Sequence, residues 1–390
     1  MFALVIAGEA IFGLPFLVAR VFRPTLLDVF EITNLQLGTA FSFYGVVAML
    51  AYFPGGPLAD RFSARGLMTS ALFVSALGGA YYATVPGITG LTVLFAFWGV
   101  TTILLFWAAM IRATRVWGGD VGQGKAFGIL EGGRGLLAAL LASATVVVFG
   151  SLLPEDVATA TLQQRKEALI QVIWIFTGMT VLAGVLVWVC VPSESQKAGG
   201  DGGTSFQWAK VWPVLKNPAV WLQAMIVVTA YVGYKGTDDL GLLARDVFAF
   251  DDVQAASVGA VSFWVRPIAA LGAGIIGDKV GGTRTIAACF LLMILGDGCV
   301  ALGFLEPSAP WMLFTMVIAT GTAVFSLRGL YFAIFGDAGV PRAYTGTAVG
   351  VVSAVGYTPD IFMGPINGYL TDTYPGELGH QYFFGVLVGF

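Results

Sequence analysis

Nine ionisable residues stand inside long apolar runs of this chain: Glu9, Glu131, Arg134, Lys235, Asp238, Asp239, Arg266, Asp297 and Asp360. A charge is costly to move from water into apolar surroundings, so each needs a partner, water or a ligand, and each is a functional candidate. Lys235, Asp238 and Asp239 are the densest group. Spacings of three and four place the lysine on one helical face with both carboxylates. Gly233, Gly236 and Gly241 weaken the helix there, and broken helices at membrane depth line binding cavities. The chemistry this allows is an anion-binding lysine beside proton-carrying carboxylates; the alternative is a neutralised pair near the outer helix end. Arg266 can hold a carboxylate or phosphate in bidentate fashion, or it can neutralise Glu131 or Asp360. Glu131 and Arg134 are one turn apart amid Gly128, Gly132, Gly133 and Gly135, a composition for close helix packing. Either they neutralise each other or Glu131 titrates during function. Asp360 follows Pro359, where a helix backbone opens, and it and the isolated Glu9 are further proton-coupling candidates. Asp297, between Gly296 and Gly298, reads as a packing or pore-rim residue. Tyr44, Tyr52, Trp107, Tyr234, Trp264 and Tyr357 are expected, as a set, to line a cavity.

The elements that position these groups follow from composition. Of the 390 residues, 57% are hydrophobic and only 11% charged, with a mean hydropathy of +0.84. Soluble domains carry about 25% charged residues, so this surface must face lipid. A bilayer core takes about 20 apolar residues per helix. Such runs cover 1–22, 37–58, 67–86, 90–111, 126–150, 168–191, 218–237, 254–277, 285–305, 309–333 and 344–369. A twelfth begins near Tyr382 and reaches Phe390 too soon to span, so the chain is expected to continue. The first run reads as a spanning helix and not as a cleaved signal, since no basic segment precedes it. The fold expected is therefore an all-α membrane protein of twelve spans, the last truncated. The polar stretch 192–217 divides it into bundles 1–191 and 218–390, six spans each.

Cys190, Cys289 and Cys299 form no disulfide framework and no metal spacing, and the single histidine, His380, reads as a loop residue. No cofactor, metal ligand set, catalytic constellation or nucleotide-binding loop is present, so an enzyme and internal ATP drive are not expected. No basic stripe suggests nucleic acid. Twelve Lys and Arg residues lie in loops after even-numbered spans and five in loops on the other side, among them Arg20. Positive charge favours the cytoplasm, which places both termini there.

The two bundles repeat internally. Gly56-Pro57-Leu58-Ala59-Asp60-Arg61, with Arg65 behind it, follows span 2; Gly274-Ile275-Ile276-Gly277-Asp278-Lys279, with Arg284 behind it, follows span 8. Arg112 ends span 4, with Asp120 beyond it; Arg328 ends span 10, with Asp337 beyond it. The offsets are 218 and 216 residues. Internal repeats of this kind are a mark of transporter folds. Asp60, Arg61, Arg65, Arg112, Asp278, Lys279, Arg284 and Arg328 are expected to form a cytoplasmic gate of ion pairs between helix ends.

The G-x-L-A-D-R-x-x-x-R pattern, its second copy and the six-plus-six arrangement resemble the major facilitator superfamily across the whole chain. The resemblance implies two pseudo-symmetric six-helix bundles around one substrate path. Val265-Arg266-Pro267 resembles span 8 of nitrate/nitrite porters, although Ala48-Met49-Leu50 stands where those porters carry an arginine in span 2. Tyr231-Val232-Gly233-Tyr234-Lys235-Gly236 is similar to span 7 of organophosphate and sugar-acid permeases, whose partner arginine in span 1 has Arg20 as a rough counterpart here, at an imperfect spacing. The stretch Gly350 to Asp360 resembles bacterial permeases related to both. The expected function is secondary transport of a small organic anion by alternating access in a bacterial inner membrane, coupled to protons, by a monomer. Export of amphipathic compounds and a receptor that moves nothing are the alternatives. The orientation has a direct test. In a background without native cysteines, a cysteine at Ser195 is expected to label only from the cytoplasm and one at Asp156 only from outside; the reverse pattern overturns the assignment.

Overall fold

Long apolar runs can satisfy their backbone in lipid only as helix, and every regular element among the described residues is helical. The computed structural model describes residues 1–119, 123–193, 208–331 and 345–390. The helices are α1 (Phe2–Val21), α2 (Asn34–Arg61), α3 (Ala64–Tyr82), α4 (Ile88–Gly118), α5 (Gln123–Ser151) and α6 (Leu162–Cys190). There follow α7a (Pro218–Gly236) and α7b (Leu240–Phe248), α8 (Asp252–Val280), α9 (Gly282–Ala301) and α10 (Pro310–Leu330). The last are α11a (Thr345–Gly356) and α11b (Pro359–Thr373), then α12 (Glu377–Gly389). Short helices Arg23–Phe30 and Trp208–Leu215 connect them. Eight of these helices are long and apolar enough to cross a bilayer. Spans 7 and 11 are interrupted, at 237–239 and at 357–358. Most of the expected linker, with Lys197, and the expected Asp120, Asp337 and Arg342 lie outside the described residues.

Local sequence explains several boundaries. Thr33 with Gln36, Thr161 with Gln164, and Asp251 with Gln254 form capping boxes that start α2, α6 and α8. Stretches of π-helix at Gly13–Leu17 in α1 and Val100–Trp107 in α4 rotate the residues that follow; such bulges cluster at functional sites.

One expectation is corrected at the C-terminal end. His380 is not in a loop. It lies in α12, which begins at Glu377, ahead of the expected Tyr382, and its side chain is fully buried.

The first six helices meet the last six closely at one end only. There α2 packs on α11b and α5 on α8. A Cβ on Gly45 would sit 2.9 Å from the Asp360 backbone, and one on Gly259 would sit 3.3 Å from Val21 Cα. Gly38 faces the Gly364 carbonyl and Gly368 faces the Leu35 backbone at closer range still. Toward the other end, a Cβ on Gly56 of α2, Gly128 and Gly132 of α5, or Gly272 and Gly274 of α8 would meet nothing within 4 Å. The helices diverge there. The molecule is closed where the 1–2, 7–8 and 11–12 junctions lie and open where the 2–3 and 8–9 junctions lie.

Polar contacts fasten the closed end, and none was foreseen in the sequence. Asp28 meets Arg245 at 3.1 Å, and Arg165 meets Asp252 at 3.1 Å and Asp28 at 3.5 Å. Thr25 donates to Asp252 at 2.7 Å. Asp372 of α11b accepts from the backbone N–H groups of Asn34 and Leu35 at 3.2 and 2.8 Å. A carboxylate at a helix N-terminus satisfies orphan donors and the helix dipole together; here it does so across the two bundles.

Candidate functional site

Between the bundles, reaching inward from the open end, is a cavity of about 530 Å³. Its walls are α1, α2, α4 and α5 on one side and α7a, α8, α10 and α11 on the other. The π turns deliver Phe16, Leu17, Ile103 and Trp107 to its surface. Tyr44, Tyr52, Tyr234 and Tyr357 line it as well. Trp264 does not: it is 40% exposed, outside the cavity lining, and its indole donates to Ser143 of α5 at 2.9 Å. Sequence spacing cannot tell which face of an apolar helix turns inward.

Two ionic groups bridge the bundles. In the first, Asp238 accepts from Arg20 of α1 at 2.6 Å and pairs with Lys235 at 2.5 Å. Lys235 also reaches Asp360 at 3.4 Å, and Tyr231 donates to Asp360 at 2.9 Å. Arg20 donates to the Tyr234 hydroxyl at 2.7 Å. In the second, Arg134 pairs with Glu131 at 2.7 Å and with Glu9 at 3.5 Å. Arg266 of α8 reaches the same carboxylates, each at 3.6 Å. Glu9 is 5% exposed and its Oε2 has no hydrogen-bond partner among the described residues.

Several sequence expectations change here. Asp239 does not share the face of Lys235. The break at 237–239 turns it toward α12, where it meets His380 at 2.6 Å and accepts from Asn367 of α11b at 3.0 Å. The His380 ring bonds Asp246 at 3.2 Å with its other nitrogen, so one buried imidazole ties α12 to the break in span 7 and to α7b. Of the two acids expected as alternatives for Arg266, Glu131 reaches it and Asp360 pairs with Lys235 instead; Glu9 is an added partner. Arg20, counted among outer-loop cations, is 4% exposed in the wall of the cavity. Its signal was available: Leu14 to Val21 is apolar on both sides of it, so the first span runs past it.

Arg328 is corrected too. Expected in the cytoplasmic gate, it lines the cavity, its guanidinium 4.1 Å from the Tyr234 ring centroid and 5.7 Å from that of Tyr231. The other residues expected in the gate sit at the open end. Arg112 donates to the carbonyls of Ala59 and Phe62, capping α2, and Arg65 lies 4.5 Å over the Trp188 ring. Asp60, Arg61, Asp278, Lys279 and Arg284 are exposed. No salt bridge among the described residues joins the end of α2 to that of α8. Asp297 is buried in α9, away from the cavity.

A cavity between two six-helix bundles, walled by equivalent helices of each and open to one side, is a transporter's geometry. Residues 5–375 match the profile of the Major Facilitator Superfamily. The chain belongs to that superfamily. It is thus a membrane-embedded secondary transporter and not an enzyme. Two Escherichia coli K12 proteins are similar along nearly their whole length. Inner membrane protein YqcE is 28% identical, over 96% of this chain and 87% of its own. Inner membrane protein YihN is 26% identical, over 99% and 91%. Among solved structures, a bacterial homolog of the human lysosomal transporter Spinster, inward-facing and unoccupied, superposes with a TM-score of 0.74. Its identity is 15%, over 95% of this chain and 82% of that one. The nucleoside transporter NupG superposes with a TM-score of 0.72 at 14% identity, over 100% and 94%. These structures share the fold.

Asp238 neutralises two buried cations, and its removal has a measurable consequence. Breaking a buried ion pair from one side costs about 3–5 kcal/mol, because a charge is left without compensation. Asp238→Asn is expected to lower the melting temperature of the detergent-solubilised transporter markedly, while Asp156→Asn in the exposed 5–6 loop leaves it unchanged. A D238N protein melting with the wild type would remove Asp238 from the structural role.

Proposed function

We propose that the transporter moves a small organic anion across the bacterial inner membrane by alternating access, coupled to protons and acting as a monomer. The observation that carries this reading is the cationic interior of the cavity: Lys235 and Arg266 lie on its walls, reachable from the open end. A charge at a helix centre in lipid costs about 2.5–3.5 kcal/mol on insertion scales, so cations kept at this depth point to an anionic cargo. The names of the inner membrane relatives support the location. Bundles 1–191 and 218–390, joined by 192–217, are the rocking units.

With both termini in the cytoplasm, the open end faces inward. Taking Arg20 and Arg328 out of the loop counts leaves eleven cations against four, the same orientation. In this inward-facing state the proposed cytoplasmic gate is parted, which fits the exposure of Asp60 and Asp278. Closing the inner side brings the ends of α2 and α8 together, while the Asp28–Arg245 and Asp372–α2 contacts separate. Proton coupling follows from the shared carboxylates. A proton on Asp360 weakens its hold on Lys235, and a proton on Glu131 weakens its hold on Arg266 and Arg134. Either makes a cation available to cargo. Asp238, Asp239 and Glu9 are alternative proton carriers.

Two measurements test the proposal. In a thermal-stabilisation panel, a ligand of the folded state raises apparent stability. Small organic anions are expected to stabilise the purified protein, and Lys235→Ala and Arg266→Ala each to weaken that effect about tenfold or more. Arg266→Lys is expected to fail as well, since lysine lacks the planar fork. Stabilisation by amphipathic cations alone, unchanged in these variants, would instead favour export of apolar compounds. For the gate, Asp60→Asn and Asp278→Asn are expected to leave folded protein whose liposome counterflow is several-fold slower; wild-type rates in both would reduce these residues to topology anchors.

A further inference from the structure

The two ionic groups are each balanced. Arg20 and Lys235 share Asp238 and Asp360; Arg134 and Arg266 share Glu9 and Glu131. Each group holds two cations and two carboxylates. Arg328 stands outside both. Among the described residues no carboxylate lies within salt-bridge distance of it, and its Nη1, shielded from solvent, has no hydrogen-bond partner. What surrounds it is aromatic. The guanidinium stacks on Tyr234 and faces Tyr231. Tyr231 packs edge-on against Tyr357 at 5.0 Å between ring centroids, and Tyr357 stacks on Tyr52 at 6.3 Å. The Tyr331 hydroxyl lies 3.4 Å from that of Tyr357.

Stacking uses the face of a guanidinium and leaves its edge donors free, the arrangement suited to a planar oxyanion. A cation on an aromatic face is stabilised by roughly 0.5–2 kcal/mol. That attraction fixes the position of Arg328 without satisfying its N–H groups. We infer that Arg328 is the anchor for the transported anion, and that its ligand is a monovalent organic carboxylate whose carbon body lies against the tyrosine rings. The inference rests on the anion-transport reading and narrows it. Lys235 and Arg266 must first give up a carboxylate, whereas Arg328 is available at once. The valence follows from the balance: one uncompensated cation is neutralised by one negative charge. A dianion leaves a surplus charge in the cavity until a carboxylate there takes up a proton.

Three six-carbon probes differ mainly in charge: sorbitol is neutral, D-gluconate a monoanion and D-glucarate a dianion. Thermal-shift titrations of the purified transporter at neutral pH are expected to show stabilisation by gluconate, less by glucarate and none by sorbitol. Glucarate is expected to gain on gluconate as the pH falls. Arg328→Gln leaves no acid unpaired, so it is expected to fold, and to bind gluconate about tenfold or more weakly, the scale of a lost charged hydrogen bond. Undiminished gluconate binding in R328Q overturns the Arg328 assignment and leaves the anion reading standing. Equal shifts with sorbitol and gluconate, or no shift with any probe, overturn the anion reading itself. If R328Q does not yield monodisperse protein, phenylglyoxal mapping of the wild type decides the same point. Arg328 is expected to be modified and gluconate to protect it; modification at the same rate with gluconate present overturns the assignment.

Discussion

Asp238 is claimed by Arg20 from the first bundle and Lys235 from the second, and much else in the transporter follows from that contact. None of the three charges is tolerable against lipid, so the bundles must meet where they meet. Asp238 lies just past the end of α7a, and the backbone turns there before α7b resumes. The same turn directs Asp239 outward to His380 and Asn367, fastening α11b and α12 behind the break. A continuous helix would have put both carboxylates beside Lys235 and left His380 with Asp246 alone. Neutralisation, helix interruption and closure of one end are thus a single arrangement.

The closed and open ends use different physics. At the closed end the helices touch through backbone at Gly38, Gly364 and Gly368, and a carboxylate from one bundle caps a helix of the other. These contacts are short-ranged and are lost together once the helices separate by a few ångströms. At the open end equivalent small residues face empty space, and the charged loops stand in the open. Closing the open end would part these contacts, and two such mutually exclusive arrangements are what the alternating access proposed above requires. The cavity lies between the two ends and each of its ionic groups draws partners from both bundles, so the proposed rocking would rearrange them.

The sequence by itself determined the class, the helices and their repeat. Lipid demands apolar side chains along each span and a helix for its backbone, and both demands are written locally. The repeated motifs at Asp60 and Asp278 were legible for the same reason, being contiguous. The intramembrane positions of Lys235, Arg266, Glu131 and Asp360 were legible because a charge in an apolar run stands out whatever surrounds it.

Tertiary structure decided who neutralises whom. Arg266 has no acid within four residues of it on its own helix, yet Glu9 and Glu131 reach it from other helices. Arg20 and Arg328 read as charges at span ends, and only packing turns them into the cavity. His380 finds Asp239 across 141 residues of sequence, and Trp264 faces outward although its composition suits either side. A helix in a membrane is apolar all round, so the 3.6-residue period that betrays the buried face of a soluble helix is nearly absent. Partnership between charges is then set by the distance between helices that are remote in the chain, and no local pattern of residues encodes that distance.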